Sequence, residues 1–132
     1  MGMYTELIFG GSLKKDTPKE VINTLRYYCG QGDYPENLLE FRTKSGRNPL
    51  NNGGSYYFGV HNSQPQMYFD SIGNNWVISS RTNLKNYEDE IEDFLKWITP
   101  YMYQGSGLKE MIAIVTYEQG DPKIYYLSEE ND

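Results

Sequence analysis

The sequence has very few residues that build covalent or metal-bound frameworks, with one cysteine and one histidine among its 132 residues. Cys29 alone cannot form an intramolecular disulfide, and zinc needs three or four His, Cys or acidic ligands at characteristic spacing. Apolar runs of membrane-spanning length and a charged-then-apolar leader are also missing. The sequence therefore predicts no disulfide, no metal, no cofactor, no membrane contact and a cytoplasmic location.

Positive charge is scarce as well. The net charge is −6 and uneven: residues 1–66 carry seven Lys/Arg against six Asp/Glu, whereas residues 67–132 carry five against twelve. Non-specific binding to nucleic acid needs a positive surface that displaces phosphate counterions, so direct nucleic-acid binding is not expected. The acidic charge of residues 67–132 is explained by solubility. The alternative is that this half of the chain faces a basic partner.

Tyrosine, by contrast, is abundant, with 13 residues. Only 38% of the residues are hydrophobic, but 15% are aromatic, and each ring can bury roughly 150–250 Å². The chain can therefore form the core of one domain without disulfides. Because tyrosine combines an apolar ring with a polar tip, it suits half-buried positions and recognition surfaces alike. The composition predicts a compact domain with a binding face and indicates no chemistry.

Caps and spacing predict two helices. Thr17-Pro18-Lys19-Glu20 combines a capping box with proline at the first helical position, and Gly30 or Gly32 ends this helix. The second helix has Asn86 as N-cap, Pro100 at its end and one apolar stripe. The stripe comprises Tyr87, Ile91, Phe94, Leu95 and Ile98. A solvated face explains its acidic residues better than a calcium loop; these are Glu88, Asp89, Glu90, Glu92 and Asp93.

Alternating apolar and polar residues between turn signals predict six short strands. They cover residues 4–9, 55–61, 66–71, 75–82, 110–117 and 122–127. Gly10-Gly11 is expected to stop the first strand, the next three strands form a meander, and the last two form a hairpin. The order β-α-β-β-β-α-β-β predicts an α+β fold with two layers, in which a mainly antiparallel sheet carries two helices on one face.

We expect residues 1–132 to form a single α+β domain. Met1 and Gly2 precede a second methionine, Met3, and are left out of the fold prediction because an expression vector would explain them. Residues 128–132 are expected to fray. Strand 122–127 offers an edge for pairing, which leaves a homo-oligomer open.

Residues that commonly carry catalysis are present, but their spacing is not specific. Residues 10–15 match neither common spacing of a phosphate-binding loop, so a turn is the simpler interpretation. His61 ends a predicted strand, and Asp70 on the next strand could orient it as a general base. A plain turn histidine is favoured because acid–base catalysis needs a cleft.

Three aromatic segments beside glycines are candidate binding sites: residues 27–34, 53–59 and 101–105. Aromatic rings beside flexible backbone, with arginines in reach, could stack on a base and hold its phosphate; the alternative is that most are core residues. Arg42, Lys44 and Arg47 form the only local basic cluster. The candidate ligand- or partner-binding residues are Tyr27, Tyr34, Arg42, Arg47, Tyr56, Tyr101 and Tyr103.

Other aromatic residues fit the strand and helix periodicities. Trp76 and Trp97 are expected at the core or its edge. The tyrosines expected to be structural are Tyr57, Tyr68, Tyr87, Tyr117 and Tyr125.

Four stretches together resemble small uncharacterised proteins encoded in bacteriophage and prophage genomes. They are YTELIFGGSLKKDTPKEVI (residues 4–22), GGSYYFGV (53–60), NWVISSRTNLKNYEDEIEDFLKW (75–97) and AIVTYEQGDPKIYYL (113–127). The resemblance spans most of the chain and brings no catalytic motif, so it assigns no residue a role. It implies a protein of the host cytoplasm that binds and neutralises a host factor or sequesters a host signalling molecule.

The leading hypothesis is a non-enzymatic binding protein, an inhibitor of a host macromolecule, with a host protein as partner and a tyrosine-bearing face as its contact. The alternative is a module that binds or sequesters a nucleotide-like ligand through the aromatic segments and the basic cluster. A hydrolytic enzyme built on His61 and Asp70 is the third hypothesis.

Overall fold

The computed structural model describes residues 5–34, 48–50, 65–84, 89–103, 110–117 and 120–127. The elements in chain order are β1 (Thr5–Ser12), α1 (Lys19–Tyr28), β2 (Gln66–Asp70), β3 (Asn75–Leu84), α2 (Glu90–Ile98), a 3-10 turn (Thr99–Tyr101), β4 (Glu110–Tyr117) and β5 (Lys123–Leu127). The predicted α+β class is confirmed. The predicted strand at 55–61, Asn86 and Tyr87 lie outside the described residues.

The five strands form one sheet in the order β2-β3-β1-β4-β5, and all four pairings are antiparallel. β2 pairs with β3 and β4 with β5, as predicted for the strands of both hairpins. β1 is the central strand, where Ile8 is opposite Arg81 of β3 on one side and Ile114 of β4 on the other.

The prediction that Gly10-Gly11 stops β1 is wrong. Both glycines pair with β3, Gly10 opposite Ser79 and Gly11 opposite Ile78. Gly11 has a φ of 149°, which side chains rarely adopt, and a Cβ atom there would lie 2.6 Å from Cε of Met102. The glycine therefore allows the chain that follows the 3-10 turn to approach β1 closely.

The start of α1 and the burial of one residue of α2 differ from the prediction. Thr17 forms no capping box: its Oγ1 donates to the carbonyl of Lys14 at 2.6 Å, and α1 begins after Pro18 without a side-chain cap. Glu90 was expected on a solvated face but is only 1% exposed. It lies one helical turn before Phe94 and therefore shares the buried side of α2.

Both helices cover the same face of the sheet. Side chains alternate along a strand, so Phe9 of β1 and Trp76 of β3 lie on one face and Ile8 on the other. Phe94 of α2 packs edge-on against Phe9 with ring centroids 5.2 Å apart, and the guanidinium of Arg26 in α1 lies 5.6 Å from the Trp76 ring. The predicted two-layer arrangement is confirmed. Within the described ranges no helix covers the opposite face.

Candidate functional site

The face of the sheet opposite the helices carries a contiguous apolar surface. Ile8, Ile114 and Ile124 occupy directly opposite positions on β1, β4 and β5, so their side chains form a row across three strands. Met111 and Tyr126 form a neighbouring cross-strand pair. Met111 is 55% exposed, Ile124 44% and Tyr126 36%. We call these five residues the open face.

A hollow of about 320 Å³ lies beside the row, above Gly10. It arises because two small residues are opposite each other at the centre of the sheet: Gly10 has no side chain, and that of Ser79 is short. A Cβ atom at Gly10 would lie 3.2 Å from the carbonyl oxygen of Ile78, so a side chain there would also crowd β3. The volume is at the lower end of the range for small-ligand sites.

Arg81 gives the hollow one cationic end. Its Nε donates to Oε2 of Glu6 at 2.9 Å, and the Glu6 side chain is almost fully buried. The two terminal nitrogens of the guanidinium make no hydrogen bond to any residue that the structure describes. Because the Nε contact holds the guanidinium in place, these nitrogens are presented in a fixed direction.

The described lining of the hollow consists of apolar side chains, two serines and one cation. The hydroxyl of Ser79 would need a neighbouring base to become a nucleophile, and among the described lining residues there is no His, Cys, Lys or acid. Across the described ranges, no group of three or more His, Cys, Asp or Glu is placed to hold a metal ion.

Four of the predicted site residues are described, at two places in the chain: Tyr27 and Tyr34, and Tyr101 and Tyr103. Tyr27 and Tyr34 pack edge-on with centroids 5.1 Å apart; Tyr27 lies against the core and Tyr34 is exposed. Tyr101 packs against Trp97 at 6.1 Å, and Tyr103 is exposed. No ring contact between described residues joins the two pairs, and none of the four tyrosines lines the hollow.

The other predicted site residues, Arg42, Arg47 and Tyr56, lie outside the described residues, as does His61. The basic cluster of the nucleotide hypothesis and the base of the hydrolytic hypothesis therefore stay predictions.

The residues of the open face were not among the predicted site residues. A signal was present: Leu7-Ile8-Phe9 and residues 112–115 are unbroken apolar runs, which indicate strands with two apolar faces. Tyr68, expected to be structural, is 57% exposed; it lies on β2, the outermost of the described strands, and on the side opposite the helices. Trp76 and Trp97 pack against the core as predicted.

Among the described residues, two groups have raised pKa values: Cys29 in the core and Tyr117 packed against it. Burial raises the pKa of the Cys29 thiol to about 12. Burial also raises the pKa of Tyr117, as does the hydrogen bond that its hydroxyl donates to Oε2 of Glu92 at 2.9 Å. Neither group lines the hollow.

Comparison of the chain with models of protein families, with curated proteins and with solved structures found no match. Among the described helices, none is long and apolar enough to cross a membrane.

Proposed function

We propose that the protein is a non-enzymatic binding protein that docks on another protein through its open face. The observation that supports this proposal is the row Ile8, Ile114 and Ile124, on the face that neither described helix covers. Singly exposed apolar residues need no explanation, but contiguous patches on a folded protein usually mark an interaction site. The centres of protein–protein interfaces are enriched in aromatic residues, methionine and arginine. The open face has Tyr126 and Met111, and Arg81 lies beside it.

The sheet is large enough for the centre of such an interface. Its described part is five strands wide. At roughly 4.8 Å between strands and 3.3 Å per residue, its face covers on the order of 500 Å². A standard interface buries about 800 Å² on each partner, so residues around the sheet would supply only the rim.

The partner that we propose is a host protein, in the host cytoplasm, and docking would inhibit that protein. The resemblance to phage and prophage proteins supports a host protein as the partner. The net charge of −6 supports a different protein over a second copy, because two copies would repel each other.

The test compares two isoleucines that are both exposed but lie in different places. Ile124→Glu puts a charge in the row, whereas Ile72→Glu puts the same charge in the turn between β2 and β3, where Ile72 is 96% exposed. Affinity capture from a bacterial host lysate should recover a protein with the unmodified chain and with Ile72→Glu, and lose it with Ile124→Glu. Calorimetric titration of the purified protein that was captured should repeat this order. Equal capture by both variants would contradict docking through the open face.

A further inference from the structure

Gly10, below the hollow, and the Cα atom of Arg81 lie at successive levels of one strand pair, and the Arg81 side chain extends from there to Glu6. Gly10 is opposite Ser79, and Ile8 is opposite Arg81. Residues two positions apart on a strand are separated by roughly 7 Å and point to the same side. The hollow above Gly10 and the backbone position of Arg81 therefore have the spacing of residues i and i+2 of an extended chain.

The hollow itself is suited to one apolar side chain. Ile8 and Ile114 form its walls, Met111 lies on its rim, and its floor is the backbone at Gly10. Its volume of about 320 Å³ has room for a phenyl ring, since an apolar cavity of about 150 Å³ binds benzene. An apolar side chain that enters the hollow would be largely removed from water, and such desolvated positions contribute most to binding between proteins.

Arg81 determines which side chain of a partner would bind next to the apolar one. The terminal nitrogens of its guanidinium are free of hydrogen bonds to described residues and can donate two parallel hydrogen bonds to a carboxylate. Glu6 already accepts from Nε and partly neutralises the cation, so we expect the carboxylate to strengthen binding moderately.

We infer that the hollow anchors an extended segment of the partner protein in which an apolar residue is followed, two residues later, by Asp or Glu. Packed β-sheets lie about 10 Å apart, and their strands run within about 30° of each other. A partner segment that packs in this way would keep its apolar side chain over Gly10 and its acidic side chain over the level of Ile8. The inference rests on the proposed function and specifies the sequence that the open face recognises.

The experiment titrates peptides into the isotope-labelled full chain and follows backbone amide signals by NMR. The probe is acetyl-Ala-Phe-Ala-Glu-Ala-amide. One control peptide has Gln in place of Glu, and another moves Glu next to Phe. The probe should shift the amide signals of Gly10 and Ser79 with a dissociation constant in the millimolar range or tighter. Both control peptides should bind about tenfold more weakly, as expected for the loss of one charge-assisted contact.

Two variants of the protein separate the two contacts. Arg81→Gln should lower the affinity of the probe to that of the Gln peptide. It should leave the affinity of the Gln peptide unchanged. Ser79→Leu should fill the hollow and weaken all peptides, whereas Ser71→Leu, in the turn after β2, should change none. Ser79→Leu is preferred to Gly10→Ala because an added Cβ at Gly10 would crowd Ile78.

Absence of shifts at Gly10 and Ser79, or equal affinities of the Glu and Gln peptides, would overturn the inference. If Ile124→Glu still abolishes capture, the open face remains the docking surface and only the recognised sequence is wrong. If the peptides behave as expected and Ile124→Glu captures normally, the proposed docking surface fails while the ligand class of the hollow stands.

Discussion

Arg81 of β3 and Glu6 of β1 form an ion pair between diagonal positions of adjacent strands, with 2.9 Å between Nε and Oε2. The carboxylate is 6% exposed and the guanidinium 35%, so a buried acid orients a more exposed base. This difference in exposure predicts how far the free energy of unfolding falls when either side chain is removed.

Arg81→Ala should lower the free energy of unfolding more than Glu6→Ala does. Loss of the arginine leaves a buried carboxylate without its partner, which costs about 1–3 kcal/mol. Loss of Glu6 leaves a guanidinium that water can reach. A double-mutant cycle by urea denaturation should give a coupling energy of about 1 kcal/mol, because the exposure of Arg81 screens the pair. Equal effects of the two single changes would contradict the asymmetry.

Gly30 terminates α1 and should be sensitive to any side chain. Its φ is 74°, its N–H donates to the carbonyl of Tyr27, and the next N–H, of Gln31, donates to Arg26, which together form a Schellman motif. Gly30→Ala should lower the unfolding free energy by about 1–2 kcal/mol because alanine is strained in this conformation. Gly30→Asn should cost less, since asparagine tolerates it better. Thermal denaturation of the two variants checks the order.

The features that could be predicted are those that a short stretch of sequence specifies. The apolar stripe of α2 predicted the burial of Ile91, Phe94 and Ile98, because a period of 3.6 residues places them on one side of any helix. Gly30 or Gly32 was predicted to end α1 for an equally local reason, and Gly30 follows the C-cap, Cys29. The turn residues at 72–74 predicted the pairing of β2 with β3.

The open face could not be predicted because it depends on register between distant segments. Ile8 and Ile114 become neighbours only when β1 pairs with β4, and nothing in either segment fixes that pairing alone. The hollow depends in the same way on Gly10 being opposite Ser79. Tyr27 and Tyr34 make no ring contact with Tyr101 or Tyr103 in the part of the chain that the structure describes, because adjacency to glycine says nothing about tertiary position.

Phe94 and Tyr68 should show how differently the two faces of the sheet contribute to stability. Phe94 is fully buried and contacts Phe9, so Phe94→Ala should lower the unfolding free energy by about 3–5 kcal/mol. Tyr68 is 57% exposed on the other side, so Tyr68→Ala should change it by no more than about 0.5 kcal/mol. Chemical denaturation measures both. A cost at Tyr68 comparable to that at Phe94 would mean that the open side is covered in the folded protein.

Cys29 and Tyr117 should make the protein less stable at alkaline pH. Burial raises the pKa of the Cys29 thiol from its ordinary 9.0 to about 12, and the pKa of Tyr117 also lies above its ordinary 10.0. Between about pH 9 and pH 12, the unfolded chain loses the proton of the Cys29 thiol whereas the folded chain keeps it. Because the unfolded state then binds fewer protons, the free energy of unfolding falls as pH rises, by at most about 1.4 kcal/mol per pH unit for each group.

The pH dependence should be removed one group at a time. Urea denaturation between about pH 8 and pH 11 should show a shallower fall for Cys29→Ala than for the unmodified chain, beginning near the unfolded thiol's pKa. Tyr117→Phe should reduce the fall only above about pH 10, where an unfolded tyrosine starts to ionise. Tyr103→Phe is the matched control, because Tyr103 is 49% exposed and should leave the slope unchanged. A slope unaffected by Cys29→Ala would show that the buried thiol is not what couples folding to pH in this range.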